Sequence, residues 1–192
     1  MSGLAVALAA LGGYLVGAVS PAALLARSRA VDLRGLGSGN PGATNVGRVL
    51  GIRWGVVVAL LDVTKGLVPS VAFGFWTEEA GLVAGAAAVV GHVSSPFLRG
   101  RGGKGVATAF GAILGVAPLW ALGLLVVFAL VAAVSRWVAL GSMSAAVGLV
   151  AVSLATGADG AQQVWAAFLA ALILVRHRVN VIARWRARRV YG

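Results

Sequence analysis

The sequence contains no cysteine, and its 192 residues include only two histidines and five acidic residues. The absence of cysteine excludes disulfide bonds and a thiol nucleophile. So few histidines and carboxylates offer little to a metal ion, and neither an HExxH pattern nor a Ser-His-Asp order is visible. We therefore expect a protein that holds no metal and no cofactor.

Charged residues are also scarce, at 11% against 60% hydrophobic residues, and the mean hydropathy is +0.96. This composition provides too little polar surface to cover a water-soluble globule. The 16 Lys and Arg residues lie in short segments between apolar runs, a pattern that reflects membrane orientation rather than nucleic-acid binding. We expect an integral membrane protein with no obligate protein partner, whose basic loops attract anionic lipid or a phosphorylated substrate.

Six apolar runs predict the transmembrane helices. Gly3 to Ala26 carries no charge and is long enough to cross the ~30 Å hydrocarbon core. It lacks the basic start of a signal peptide, so we interpret it as a retained span. Its GxxxG pair, Gly13 and Gly17, favours close packing of another helix. The other runs are Trp54 to Trp76, Gly81 to Gly91, Val106 to Val134, Trp137 to Thr156 and Ala161 to Val175.

The run from Val106 to Val134 decides the topology, because it fits either one tilted helix or two short ones. If the run breaks near Pro118, every basic residue except Lys65 falls on one side of the membrane, as the positive-inside rule requires of the cytoplasmic side. We therefore predict an all-α integral membrane protein with one domain over residues 1–192. It would have seven transmembrane helices, an outside N-terminus and a cytoplasmic C-terminus. The helices flanking the segment 91–105 and the last helix should be short.

The segment Gly35 to Arg48, here called the first polar loop, formally contains a GxGxxG pattern. A dinucleotide site would need a buried strand before it, whereas a charged linker precedes this one. The loop instead combines flexible backbone with hydroxyl, amide and guanidinium groups, which suits an anion or polyol site, and an ordinary glycine-rich turn remains the alternative. The candidate binding residues are Ser38, Gly39, Asn40, Asn45 and Arg48.

The segment Gly91 to Gly105, GHVSSPFLRGRGGKG, is here called the glycine loop, and it is polar and cationic between two apolar runs. It does not match the P-loop pattern, yet its glycines would let the backbone approach an anion beside a lysine, at the positive end of a following helix. A solvated cationic loop at the membrane surface is the alternative. The candidate residues are His92, Gly102, Gly103, Lys104 and Gly105.

The basic tail provides a third polar segment, in which His177 and Asn180 share one helix face. Ser142 should lie near the cytoplasmic end of its helix. Asp62 and Lys65 lie three residues apart within a span and should neutralise each other, although ionisable groups at that depth are candidates for function. Short helices imply a cavity where the three polar segments meet.

The stretches GSGNPGATNVGR, GHVSSPF with RGGKGVAT, and RHRVN resemble the three motifs of the bacterial acyl-phosphate:glycerol-3-phosphate acyltransferases, the PlsY family. The similarity extends through DVTKG and the hydropathy pattern over nearly the whole chain. The resemblance implies a plasma-membrane enzyme of phospholipid synthesis with its site toward the cytoplasm. It would move a fatty acyl group from acyl phosphate to the 1-hydroxyl of glycerol 3-phosphate, giving lysophosphatidic acid and phosphate.

Carried onto matching positions, the resemblance assigns catalytic roles to Ser38, Arg48, Lys104, His177 and Asn180. The remaining candidates, Ser142 among them, would bind substrate. The tail departs from the family, since ARWRARRVYG stands where RLxxGxE is usual, and the glycine and the acid are missing. Two other classes stay open on the residues alone: a transporter for a phosphorylated solute, and a structural protein that grips anionic lipid.

Overall fold

The computed structural model describes residues 3–191, and all of the regular structure in that part of the chain is helical. A single 3-10 turn, Pro96–Leu98, interrupts the glycine loop. The helices are α1 Gly3–Ala18, α2 Pro21–Ser28, α3 Ala43–Leu50, α4 Ile52–Gly74, α5 Glu78–Val93, α6 Val106–Val116, α7 Pro118–Ser135, α8 Val138–Ala155 and α9 Gly160–Tyr191.

Six helical stretches in the described chain are long and apolar enough to cross a membrane, and α6, with 11 residues, is a shorter apolar helix. Large apolar side chains on these helices point outward, as lipid contact requires. The prediction of an all-α integral membrane protein is confirmed. The count of seven spans and the orientation of the termini remain predictions.

The chain forms two compact units, one up to Pro118 and the other from Leu119 onward. In the first unit, α1 packs against α5 through the predicted GxxxG pair. A Cβ on Gly13 or Gly17 would collide with the backbone of Ala84 or Ala88, so only glycine permits this approach. Helices α4, α5 and α6 pack against one another beside this pair.

The first span is not one continuous helix, which corrects the expected run from Gly3 to Ala26. It breaks at Val19 and Ser20, because Pro21 has no N–H group to continue the helical hydrogen bonds. The Ser20 hydroxyl accepts from the N–H of Ala23 at 3.3 Å and caps α2. The break leaves backbone carbonyls at membrane depth that need donors from elsewhere.

The run from Val106 to Val134 divides at Pro118, as predicted. Helix α6 ends at Val116, Ala117 leaves helical geometry, and Pro118 begins α7, since proline fits the first position of a helix. Helix α6 is short, as expected. Helix α5 is longer than the predicted apolar run and covers 16 residues, because Thr77 caps it and Glu78 and Glu79 fit its first turn.

The second unit contains α7, α8 and α9, with α9 packed against α8. The expectation of a short last helix is wrong, since α9 has 32 residues and includes most of the basic tail. Arginine is a good helix former, and no glycine or proline occurs between the start of α9 and Tyr191 to end it. The single-domain interpretation stays a prediction.

Candidate active site

The first polar loop is folded around the side chain of Asn45, which is only 1% exposed. Its Nδ2 donates to the carbonyls of Leu33 at 3.2 Å and Leu36 at 3.1 Å, and its Oδ1 accepts from the N–H of Ser38 at 2.8 Å. Two backbone groups of the loop and one just before it, the carbonyl of Leu33, thus find partners on one amide. Asn45 was expected to bind substrate, and in the structure its amide binds the loop itself.

Two glycines of this loop are required by its geometry. Gly37 and Gly39 have φ of +59° and +66°, the left-handed region that glycine adopts without strain. A Cβ on Gly37 would also collide with Oδ1 of Asn45. The GxGxxG pattern therefore reflects a turn closed by Asn45 rather than a dinucleotide site, and residues 3–36, which the structure describes, contain helices and turns but no strand.

The loop presents two of the predicted catalytic side chains outward. Ser38 is exposed at its tip, and Arg48 is exposed in the last turn of α3. Gly39 and Asn40 are half-buried between them in the chain. A hydroxyl and a guanidinium group on one short, internally braced segment can bind a phosphorylated polyol.

The first three residues of the glycine loop are the last turn of α5, and its later part, from Gly100 to Gly105, folds back along this turn. The N–H of Gly102 donates to the carbonyl of Val93 at 2.9 Å, and the N–H of Gly103 donates to the carbonyl of His92 at 3.2 Å. A Cβ on either glycine would collide with His92. These two glycines are predicted to bind substrate. Their close contact with α5 also requires glycine, because any side chain would push the loop away from that helix.

The glycine loop places Lys104 two residues before the start of α6. Gly105 has φ of +81° and stands immediately before the first helical residue, and Lys104 is half-buried. The first turn of a helix presents N–H groups that have no acceptor within the helix. These groups and the ammonium group together suit a phosphate at the start of α6.

Arg34 joins the first polar loop to the glycine loop, and sequence reasoning missed it. Its guanidinium donates to the carbonyl of Arg101 and, at 3.5 Å, to the carbonyl of Gly39. In the sequence Arg34 is one of five arginines between residues 27 and 53, and nothing in the pattern distinguishes it from the others. The structure thus brings two of the three predicted segments together.

Behind the part of the glycine loop that follows α5 lies a buried group of ionisable side chains. Nζ of Lys65 lies 2.9 Å from Oδ1 of Asp62, so the predicted neutralisation within α4 is confirmed. Nδ1 of His92, at the end of α5, lies 3.5 Å from the same oxygen. His92 was expected to bind substrate, and its ring is buried beneath the loop instead of projecting from it.

The third segment lies in the second unit. His177 is 1% exposed on α9, and its Nδ1–H donates to the carbonyl of Ile173 at 2.8 Å, which fixes the orientation of the ring. Asn180 is half-buried one turn later. The Arg184 guanidinium stacks on Trp137, 4.5 Å from the ring centroid. Ser142 on α8 is buried, and its hydroxyl donates to the carbonyl of Val138 at 3.0 Å.

Comparison with known proteins identifies the family. The model of the glycerol-3-phosphate acyltransferase family matches residues 7–187. The chain belongs to this family. The glycerol-3-phosphate acyltransferase of Geobacter sulfurreducens is 42% identical over 174 residues, which are 88% of each chain. That of Thermus thermophilus is 44% identical over 173 residues, 88% of this chain and 85% of the relative.

Solved structures of the family have the same fold. The crystal structure of PlsY, an integral membrane glycerol 3-phosphate acyltransferase, in its glycerol 3-phosphate form, has a TM-score of 0.92 and 34% identity, and the match covers 95% of this chain and 93% of that one. Its lysophosphatidic acid form has a TM-score of 0.86 and 32% identity, with the same coverage. This chain is therefore a multi-pass membrane acyltransferase that acts on glycerol 3-phosphate.

Proposed function

We propose that this acyltransferase takes its acyl group from acyl phosphate and transfers it to the 1-hydroxyl of glycerol 3-phosphate. The products would be lysophosphatidic acid and inorganic phosphate. The observation that carries the proposal is the glycine loop, which brings a lysine to the start of a short apolar helix in a membrane enzyme of this family. A phosphate held there would lie beside the lipid phase in which an acyl chain dissolves.

The proposed chemistry needs positioning more than activation, because acyl phosphate is already a reactive mixed anhydride. The glycerol oxygen attacks the acyl carbonyl carbon, the bond between that carbon and the phosphate oxygen breaks, and the hydroxyl proton passes to a phosphate oxygen. Arg48 and Lys104 would offset the repulsion between the two phosphates. Asn180 would stabilise the developing oxyanion, and His177 would orient the hydroxyl.

Ser38, exposed on the first polar loop, is proposed as a catalytic residue beside those named above. Substrate binding is proposed for the remaining predicted residues. Asn45 would act through the shape of that loop, since its amide is engaged there. The other residues of the proposed binding site are Gly39, Asn40, His92, Gly102, Gly103, Gly105 and Ser142. We also propose that the site faces the cytoplasm of a bacterial cell, where the basic segments would lie.

The donor can be tested with purified protein in lipid vesicles, radiolabelled glycerol 3-phosphate and either palmitoyl phosphate or palmitoyl-CoA. We expect labelled lysophosphatidic acid with palmitoyl phosphate alone, and release of one phosphate per lipid formed. Transfer from palmitoyl-CoA without acyl phosphate would overturn the donor. Uptake of labelled glycerol 3-phosphate into vesicles without any lipid product would favour a transporter.

The role of His177 can be tested in the same assay. Substitution His177→Ala should lower turnover by about a hundredfold, the size expected for a lost orienting or proton-transfer group. The exposed neighbour Arg178, changed to Gln, serves as the control on the same helix. Wild-type turnover in the His177 variant would remove this residue from the mechanism.

A further inference from the structure

Three buried ionisable side chains lie together next to the glycine loop, and the acyl transfer described above has no chemical step for them. Asp62 and Lys65 on α4 are 3% and 6% exposed, and His92 on α5 is 8% exposed. Both Nζ of Lys65 and Nδ1 of His92 approach one oxygen, Oδ1 of Asp62. Ionisable groups within membrane helices are costly to bury, which makes them candidates for function.

The group is attached at one end to the break in the first span. Nζ of Lys65 donates to the carbonyl of Val19 at 2.9 Å, a carbonyl that the break before Pro21 leaves without a helical partner. Ser95 supports the same break, since its hydroxyl donates to the carbonyl of Ala18 at 2.6 Å. Lys65 is thus held by a backbone carbonyl as well as by Asp62.

At the other end the group meets the glycine loop. The carbonyl of His92 accepts the N–H of Gly103 at 3.2 Å, and Nε2 of the ring faces the same glycine so closely that a Cβ there would collide with it. Oδ1 of Asp62 lies 3.5 Å from Nδ1 of His92, and a carboxylate at this distance favours the ring orientation and the tautomer that turn an Nδ1–H group toward it. Asp62 can therefore fix the surface on which the loop rests.

We propose that Asp62, Lys65 and His92 form a positioning network that holds the glycine loop, and with it Lys104 and the start of α6, in place for the substrate phosphate. This inference rests on the proposed function, because it assigns the phosphate to that loop. Lys65 neutralises the carboxylate, the carboxylate orients His92, and His92 supports Gly103. The contribution of His92 to the binding site would thus be this support of the loop, and Asp62 and Lys65 would act through His92.

Two variants separate positioning from mere neutralisation of buried charge. Asp62→Asn leaves Lys65 without its counter-ion but keeps an oxygen for Nδ1 of His92. It should lower the thermal midpoint while KM stays within about twofold of wild type. The double variant Asp62→Leu with Lys65→Met removes both charges, and it should unfold at a higher temperature than Asp62→Asn. In the double variant, the KM for acyl phosphate, for glycerol 3-phosphate or for both should still rise about tenfold, because the glycine loop is misplaced.

His92→Leu alone should raise the KM that rises in the double variant, and by a similar factor. The triple variant, which combines all three changes, should have a KM little above that of the double variant, because the three changes disrupt one network. Inhibition by inorganic phosphate should weaken in parallel. Thr64→Val is the control, since Thr64 is exposed on α4 and its hydroxyl donates only to the Leu60 carbonyl of its own helix. Wild-type KM in the folded double variant would overturn the positioning role and leave only charge burial.

A second measurement does not depend on the acyl donor. In His92→Leu, the amides of Gly102 and Gly103 should exchange hydrogen for deuterium at least several-fold faster, because the surface that supports their bonds to α5 is altered. Amides of α1 should exchange as in wild type. Unchanged loop exchange would overturn the proposal even in an active enzyme, whereas an enzyme inactive with acyl phosphate but with this exchange pattern would overturn only the proposed function.

Discussion

At the scale of single residues, the polar side chains of this protein have two kinds of role. Some are exposed and available to substrate, and others are buried and stabilise the loops that carry the exposed ones. Ser38 and Arg48 are exposed, whereas Asn45 is buried beneath them with its amide bonded to loop backbone. Buried backbone groups that lose such a partner each cost about 1–3 kcal/mol. The holding residues therefore matter as much to activity as the exposed ones.

Asn45→Ala should unfold the first polar loop without unfolding the membrane helices, since it removes three hydrogen bonds from one short segment. We expect tryptic cleavage after Arg34 or Arg48 to accelerate about tenfold, and acyl transfer to fall by at least as much. Limited proteolysis followed by mass spectrometry measures the cleavage rate, and the vesicle assay measures acyl transfer. The control is Thr44→Ala at the exposed neighbouring position, and equal cleavage rates in both variants would contradict this role.

Arg34 provides a second prediction at this scale. Arg34→Gln should weaken the connection between the two loops, because the shorter amide cannot reach both the Arg101 and the Gly39 carbonyls. A loss of about fivefold to a hundredfold in kcat/KM is expected when segments that bind one substrate lose their alignment. Arg27→Gln, an exposed arginine in the last turn of α2, is the matched control. The proposal fails for Arg34 if both variants keep wild-type kinetics.

At the scale of helices, glycine determines how closely neighbours approach. The GxxxG pair on α1 meets the backbone of α5, and Gly66 on α4 meets the Thr108 backbone of α6 in the same manner. Without a hydrophobic driving force between helices in lipid, such close contact supplies much of the stabilisation. The loops that carry the polar groups depend on this packing, because α5 and α6 flank the glycine loop.

Gly17→Ala should therefore destabilise the protein, since the new Cβ would collide with the Ala88 backbone. Overpacking of this kind costs about 1–3 kcal/mol, which should appear as a lower thermal midpoint in detergent. Gly123→Ala on α7 is the control, because the space around that position is open and alanine is the better helix former. A Gly17 variant as stable as the Gly123 variant would show that this contact is unimportant.

At the scale of the whole molecule, the number of membrane crossings depends on whether the chain divides near Pro118 into two spans, and the distribution of basic residues distinguishes the two cases. Six stretches of the described chain can span a membrane, and the short α6 supplies a seventh crossing only if the protein tolerates its length. The basic residues other than Lys65 gather on one side under seven crossings and on both sides under six. The charge argument therefore favours seven.

Reporter fusions test this count directly. An enzyme active only in the cytoplasm, fused after Gly160, should be inactive, and the same enzyme fused after Gly192 should be active, because one crossing separates the two positions. A reporter active only outside the cytoplasm should give the opposite pattern. Finding both fusion points on the same side would overturn the predicted arrangement.

Much of the fold was predictable because it depends on local composition. Apolar runs indicate spans, Pro118 cannot continue the helix before it, and a GxxxG pair favours close helix packing wherever a partner is available. The motifs likewise named Ser38, Arg48, Lys104, His177 and Asn180 as candidates, since they are carried by short stretches of sequence. The length of α9 is not evident from the sequence, because a basic stretch follows its apolar run whether the helix ends there or continues as an exposed helix, as it does here.

The sequence by itself determined that this is a helical membrane protein with three polar segments of the acyltransferase kind. Only the tertiary structure decided which polar side chains hold those segments. Arg34 reaches a carbonyl 67 residues away, and Lys65 reaches one 46 residues away. Backbone carbonyls occur at every residue, so no sequence pattern marks which of them a distant donor will meet, and that choice is made by the packing of helices around the glycine loop.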